Sequence, residues 1–437
     1  MNELDFRTKN GEFQAKFDKW DQEIGRFIPK DFENLARSSG AIIRQRGVEK
    51  PVDLLKVLLI WAASNISLRM LSLCACALGV STISDTAWRK KIVNSSLLLI
   101  MALNLFLPKP PPPNRGIKWE RTIHLIDASS IVQQGKNGAT FRIHMCYDLK
   151  TGRMGEVVVT DNRTAESFDL YSTIKEGDIL IADAGYGSFK NVDYALKRKA
   201  DVIIRITPNT IRLIGENGEV INMAKILDTE ESVIEKQYSI SYKNGLLPVR
   251  VIASRLPEDK IDAAKKRKKK EAQKRQSVIK EETLIYAEWV ILITTLDDTY
   301  SAKEVLDIYR SRWQIELLFK RIKQHFKVTK IRPSSKRYAV ALITLWLIIW
   351  ALAERSKLIG EWALIKKGIG LNSRYSAWTV SDYYFHRIKT IIESVWSTIL
   401  DPVKDIDLIL KRLQNHKSSR VNQYVKYNWS NFPWIEA

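Results

Sequence analysis

Apolar residues recur at helical spacing in the first hundred positions. Val52–Ala63 and Ile92–Phe106 are apolar runs with helical character. Between them, Ser67–Lys91 reads as an apolar helix, a turn at Gly79, a Ser/Asp cap and a second helix ending in Arg89, Lys90 and Lys91. That succession fits a helix-turn-helix that contacts DNA, and it fits an ordinary helical hairpin as well. A proline run over 108–116 then removes backbone donors and predicts a stiff extended linker.

Beyond the linker the period shortens. Thr122–Ile126 is a short apolar strand ending at Asp127, Thr140–Tyr147 and Glu156–Thr160 give two more, and Ala165–Ile174 reads as helix. Asp178–Ala182 is a buried strand ending at Asp183, Phe189–Lys199 is helical, and Asp201–Ile206 is a β-branched strand. The order β-β-β-α-β-α-β is that of a ribonuclease H-like core. Pro208–Leu296 interrupts it with strand-like pieces at Ser232–Tyr242, Pro248–Ala253 and Glu288–Thr294. Helix resumes from Ser301 to about Phe326, and the rest of the chain is mostly helical and rich in Trp.

These patterns predict a multidomain chain with an α/β ribonuclease H-like core, a β-rich insertion, an all-α N-terminal domain and a helical C-terminal region. The boundaries are a helical DNA-binding domain at 1–107, the linker at 108–116, a catalytic core at 117–206 plus 296–337, the insertion with a basic loop at 207–295, and the C-terminal region at 338–437. A chain of 437 residues is too long for one compact core, which agrees. The longest apolar stretch, Tyr338–Ala353, is read as a buried helix too short to span a bilayer.

Composition points to a polyanion. With 70 Lys and Arg against 49 Asp and Glu, the net charge is +21, which favours nucleic acid first and an anionic membrane surface second. The excess is densest at Lys260–Lys280, where ten basic residues face Asp262 and Glu271. Lys265, Lys266, Arg267, Lys268, Lys269 and Lys270 are read as a mobile loop gripping DNA without sequence preference, a merely solvated loop being the alternative. Three cysteines, Cys74, Cys76 and Cys146, form neither a zinc pattern nor a disulfide framework, and Met1–Lys19 lacks a signal peptide's apolar core. A reducing, cytoplasmic setting is expected. His124, His144, His325, His386 and His416 lack metal-ligand spacing and are read as structural or surface residues.

The chemistry is carried by carboxylates. In this strand order the first and fourth strands are neighbours, so Asp127 and Asp183 come within reach of a shared metal. A third ligand is expected from a helix across the sheet, and Glu316 is placed for it; Asp297 and Asp298 compete less well. Tyr309, Arg312, Glu316, Lys320 and Lys323 are spaced three, four, four and three apart and line one helical face, suited to a phosphate backbone beside a metal. An amphipathic surface helix would show the same spacing.

Asp127-Ala128-Ser129-Ser130, Asp183-Ala184-Gly185-Tyr186 and the Tyr309–Lys323 segment together resemble the insertion-sequence DDE transposases with the Tyr-Arg-Glu-Lys signature. The resemblance implies cut-and-paste transposition: water cuts one strand at the element end, the freed 3′-hydroxyl attacks the opposite strand to form a hairpin, and the reopened end joins target DNA. It implies that Asp127, Asp183 and Glu316 ligate two Mg2+ ions, replaceable by Mn2+, while Tyr309, Arg312 and Lys323 hold phosphates. It further implies that Trp289 stacks on a flipped base, against the ordinary expectation that a Trp opening a strand is core. The expected partners are element terminal inverted repeats and target DNA, with a homodimer on DNA, no membrane, and a prokaryotic nucleoid setting. A catalytically silent DNA-binding descendant and a structure-selective nuclease on the same fold are the rival readings.

Overall fold

The computed structural model describes residues 19–42, 47–108, 121–133, 135, 140–151, 153–243, 245–326, 330–331, 335–367 and 377–397. Most of the proline-rich linker, and residues 398–437 of the C-terminal region with His416, lie outside the described residues.

In chain order the helices before the sheet are α1 (Phe32–Ser38), α2 (Pro51–Ser64), α3 (Leu68–Ala77), α4 (Asp85–Asn94) and α5 (Ser96–Phe106). The strands are β1 (Ile123–Gln133), β2 (Phe141–Asp148), β3 (Arg153–Asp161), β4 (Ile179–Ala182), β5 (Asp201–Arg205), β6 (Leu213–Ile214), β7 (Val233–Tyr242), β8 (Gly245–Arg255), β9 (Trp289–Thr294) and β10 (Lys330–Ile331). Interleaved with them are α6 (Phe189–Lys197), α7 (Met223–Leu227), α8 (Glu258–Lys274), α9 (Glu281–Ala287), α10 (Ala302–Arg310) and α11 (Trp313–Phe326). The long α12 (Lys336–Lys366) and α13 (Ala377–Ser397) follow.

The sheet order is β3-β2-β1-β4-β5-β9-β8-β7-β6, with β10 added beside the far part of β1. Strands β1, β4 and β5 are parallel and β2 and β3 antiparallel, the ribonuclease H-like arrangement. The strands between Pro208 and Leu296 continue the same sheet: β9 pairs antiparallel with β5, β8 with β9, and β7 with β8. Pro248 is tolerated inside β8 because pairing with β9 begins only at Arg250, so its missing N–H withdraws nothing from that ladder.

Continuous apolar runs such as Ile179-Leu180-Ile181-Ala182 form strands buried on both faces. Ile179 and Ile181 enter one apolar cluster with α2, α5, α11 and α12; Leu180 and Ala182 enter the other, with α6, Tyr171 and Tyr186. The edge strand β3 is covered by α5, where the Asn104 side chain accepts from Val157 N at 3.1 Å and donates to Val157 O at 3.4 Å. The helix α12 is longer than the sequence pattern suggests, long and apolar enough to cross a membrane by length and composition, yet 78% of its most apolar window is buried by protein. Trp346 Nε1 on its length donates to Ala62 O of α2 at 3.3 Å.

Five local expectations are corrected. Ala165–Ile174 holds only a short 3-10 turn at Phe168–Leu170. Side-chain acceptors capture the N–H groups a helix would use: Asn191 Oδ1 takes Phe168 N at 3.0 Å, and Glu156 takes Ser172 N at 2.8 Å and Thr173 N at 3.2 Å. The helix expected over Ser301–Phe326 is two, broken at Ser311, whose hydroxyl donates to Ile308 O at 2.6 Å. Strand β1 runs on to Gln133, so Asp127 lies within it and not at its end. Ile92–Phe106 is divided at Ser95 between α4 and α5. The basic run is no loop but part of α8, opened by Glu258 and Asp259, which suit the positive end of the helix dipole.

Candidate active site

Parallel pairing places Ile126 opposite Ala182, so the next residues, Asp127 still within β1 and Asp183 just past the end of β4, lie side by side at the carboxyl end of β4. Each is steered by its own backbone. Asp127 Oδ1 accepts from Ala128 N at 2.8 Å, and Asp183 Oδ1 accepts from Gly185 N at 2.9 Å, closing the tight turn Ala184–Tyr186. Burial pushes the Asp127 carboxyl up to about 7, aided by the charges of Asp183 and Glu316 and opposed by the Ala128 N–H and Arg312.

Glu316 comes from the first turn of α11 and is half exposed. The link to the aspartates is Arg312, at the break between α10 and α11. Its guanidinium lies 3.7 Å from Asp127 Oδ2 and is paired with Glu316 Oε1 one turn on. Without the break at Ser311, Arg312 would sit inside a continuous helix. Tyr309 packs its ring 5.8 Å from that guanidinium, and its hydroxyl is buried beside it. Lys323 is half-buried; burial lowers its ammonium, and Asp127 opposes that shift. Lys320, on the same helix, projects into solvent.

Among the described residues no three His, Cys, Asp or Glu side chains are gathered as a ready-made metal cage. The donor chemistry nonetheless fits a hard divalent cation. Asp127 and Asp183 are crowded like charges at one sheet edge, and Arg312 supplies compensating charge between Asp127 and Glu316.

Two acid-site neighbours escaped the sequence reading. Glu166, in the loop after β3, sits over the Asp183 turn: a Cβ added at Gly185 would lie 1.8 Å from its Oε2. Burial and Asp183 push its carboxyl up, against Arg142, whose Nη1 is 3.7 Å away. Asn191, on α6, ties that loop to the turn by donating to Glu166 O at 3.2 Å and to Tyr186 O at 2.9 Å. No local periodicity marks either residue, because both act through a turn and a loop.

The remaining expectations divide. Trp289 is corrected: at 2% exposure it is buried in the apolar cluster that also holds Ile291, Ile293 and Ala253, so its ring belongs to the core and presents no face to a base. Within the basic run, Lys265 Nζ is 2.7 Å from Glu288 and Lys268 Nζ 3.0 Å from Glu271, while Lys266, Arg267, Lys269 and Lys270 point outward. Arg89 and Lys90 are exposed on α4, whereas Lys91 turns in to donate to Ala41 O at 3.4 Å. Asp297 and Asp298 follow the end of β9 at the opposite sheet edge, away from Asp127.

Known proteins share this arrangement of sequence. Residues 118–352 match the family described as the transposase DDE domain. The InsL protein of insertion sequence element IS186A of Escherichia coli K12 is 31% identical over 325 residues, 72% of this chain and 87% of that protein. The transposase for insertion sequence element IS421 of Escherichia coli is 31% identical over 326 residues, with the same coverage of 72% and 87%. The transposase for insertion sequence element IS231C of Bacillus thuringiensis subsp. berliner is 25% identical over 279 residues, 56% of this chain and 55% of that protein. The matched span contains both strand-edge aspartates and the Glu316 helix, and the chain therefore belongs to the transposase DDE domain family.

Proposed function

We propose that this protein is a DNA transposase that excises and inserts a mobile element by cut-and-paste, through a hairpin at the element end. The observation that carries the reading is the convergence of Asp127 and Asp183 at one sheet edge, with Arg312 joining Asp127 to Glu316. Asp127, Asp183 and Glu316 would hold two Mg2+ ions, or Mn2+ in their place. When bound, these activate the attacking oxygen and stabilise the leaving one. Arg312 and Lys323 would hold the scissile phosphate, with the buried Tyr309 hydroxyl as a further donor. The setting is the cytoplasm with nucleoid DNA, and the working form a homodimer assembled on paired terminal repeats.

The chain's own groups act by position. Arg312, paired with Glu316 and 3.7 Å from Asp127, offsets the negative charge of both acids and would be free to turn to a phosphate once cations took over that charge. The net charge of +21 favours association with DNA.

The test is cleavage and joining of DNA carrying the element ends. Asp127→Asn, Asp183→Asn and Glu316→Gln are each expected to abolish cleavage while gel-shift affinity is largely kept. Near wild-type cleavage by any one of them removes that residue from the site. A wild-type protein that binds but never cuts supports the silent descendant. Cutting of branched DNA of any sequence without strand joining supports the nuclease.

A further inference from the structure

We propose that Glu166 is a fourth acidic group of this site, holding a divalent cation jointly with Asp183; this rests on the metal-dependent reading above. Three observations carry it. First, the position is built. Asn191 is buried at 1% exposure and its amide spans the Glu166 and Tyr186 carbonyls, while its Oδ1 accepts from Ser167 Oγ at 3.1 Å and Phe168 N at 3.0 Å. The loop carrying Glu166 and the turn carrying Asp183 are thereby one unit.

Second, the carboxylate lies against that turn. A Cβ at Gly185 would meet Glu166 Oε2 at 1.8 Å and Asp183 Oδ1 at 3.2 Å. The two oxygens are therefore within about 5 Å of each other, the range over which charges act on one another strongly. Gly185 has no need of its residue type for a left-handed backbone, since its φ is not in that region. What a side chain at this position would meet is the Glu166 carboxylate, which would have to move aside.

Third, this acid is only loosely paired. Its cationic neighbour, Arg142, is 3.7 Å away and gives its Nη1 hydrogen bond to Thr164 O at 3.0 Å. A half-buried carboxylate held beside a like charge, with so loose an ion pair, weakens the metal-free fold. Oxygen donors so placed are what a hard cation takes up.

The experiment measures Mn2+ binding to the full chain without DNA, by titration calorimetry, beside thermal unfolding with and without Mn2+. Wild-type, Glu166→Gln, Gly185→Ala, the double variant, Asp183→Asn, Asp127→Asn and Asp307→Asn are compared. Glu166→Gln is expected to weaken Mn2+ binding about tenfold or more, the size of effect seen on removing a supporting metal-site group. It should also raise the metal-free melting temperature by relieving repulsion, and forfeit most of the rise that Mn2+ gives the wild type. Gly185→Ala drives the Glu166 carboxylate off the turn without removing an acid, and should weaken binding similarly. In the Glu166→Gln background it should add little, because both changes act through one contact. Asp307→Asn, on the outer face of α10, should bind as wild type does.

If Glu166→Gln binds Mn2+ as tightly as wild type while Asp183→Asn does not, Glu166 is no ligand and the proposal falls, with the transposase reading intact. If Asp183→Asn and Asp127→Asn also bind normally, the metal site itself is misplaced and both readings fall. Independent, multiplicative weakening in the double variant would also overturn the proposal.

Discussion

The two ends of the β1–β4 pair treat buried charge in opposite ways. At the amino end, His124 of β1 holds Asp178, just before β4, with Nε2 3.0 Å from Oδ2, and its Nδ1 is 3.4 Å from Cys146 Sγ. Asp178 Oδ2 also accepts from Lys175 N at 2.7 Å. Three residues along the same strand, Asp127 faces Asp183 across the same pair, like against like. One end pairs opposite charges, and the other crowds like charges, with Arg312 3.7 Å from Asp127 as the compensating cation. The lesson is that buried charge marks function where like charges are crowded, and not by burial alone: His124 is more deeply buried than Asp127 and is structural.

The largest effect expected from this contrast is on stability. Asp178→Ala strands the His124 charge and should cost about 3–5 kcal/mol, as removal of one partner of a buried pair does. Asp127→Asn, in metal-free buffer, should leave stability unchanged or raise it. Urea unfolding compares them, and equal destabilisation by both would erase the distinction between the two ends.

Trp289 tests how far the demanding end extends along the sheet. It starts β9 opposite Arg255, on the same edge as Asp127, yet it is enclosed. Trp289→Ala should lower stability by about 3–5 kcal/mol, and nicking and hairpin formation should decline together. Trp289→Phe should cost less, since most of the apolar volume stays. A normal melting curve with hairpin formation alone impaired would return the ring to the DNA-facing set.

The pH dependence separates the ends further. Burial disfavours the His124 cation, but hydrogen bonds with Asp178 and Cys146 outweigh it and raise the group from 6.5 to about 10. Its folded value exceeds its unfolded one, so its contribution is fully present below about 6.5 and is lost as pH rises through about 10. Asp127 is raised from 3.8 to about 7, so the folded state keeps a proton the unfolded state releases. Without metal, the Asp127 contribution to stability therefore falls as pH rises between about 4 and 7 and then levels. Each window has a limiting slope of about 1.4 kcal/mol per pH unit for one proton. Asp127→Asn should remove the slope in the acid window and His124→Gln that in the alkaline one. If either variant flattens the other's window, the two groups are misassigned.

The sequence makes the strands legible because their apolar runs are a local pattern, and the placing of Asp127 beside Asp183 follows from the ribonuclease H-like order of those strands. Tyr309, Arg312 and Glu316 are legible by spacing, even though Ser311 breaks the helix that the spacing assumes. Glu166 is not legible, because its place depends on Asn191, which lies 25 residues away on another element. Nor is the conformation of 165–174, where Glu156 and Asn191 take the backbone donors. The fate of Trp289 turns on its enclosure by β8 and its neighbours, which a strand pattern does not encode.

The smallest effect concerns the basic helix α8, which leaves β8 at the edge where Asp127 and Asp183 stand. Its half-buried face, Ile261, Ala264, Lys265 and Lys268, turns toward the body of the protein, and two of those lysines are held by Glu288 and Glu271. Lys266, Arg267, Lys269 and Lys270 occupy the outward face. If DNA leaving the carboxylates runs along this helix, only the outward four should exchange counterions for phosphate. Replacing those four by Ala should flatten the log–log salt dependence of DNA binding by about 0.9 for each phosphate no longer neutralised, up to roughly 3.6 in all. Replacing Lys265 and Lys268 should change the slope by less than about 0.9, and Glu288 would keep Arg255 at 3.0 Å to hold the fold. Fluorescence anisotropy across a salt series reads both. Equal flattening by the two sets would mean that the run acts as unstructured charge, and no flattening by either would make α8 a solvated surface. A difference confined to the outward four would extend the crowded end of the sheet from its acids to the helix beside them.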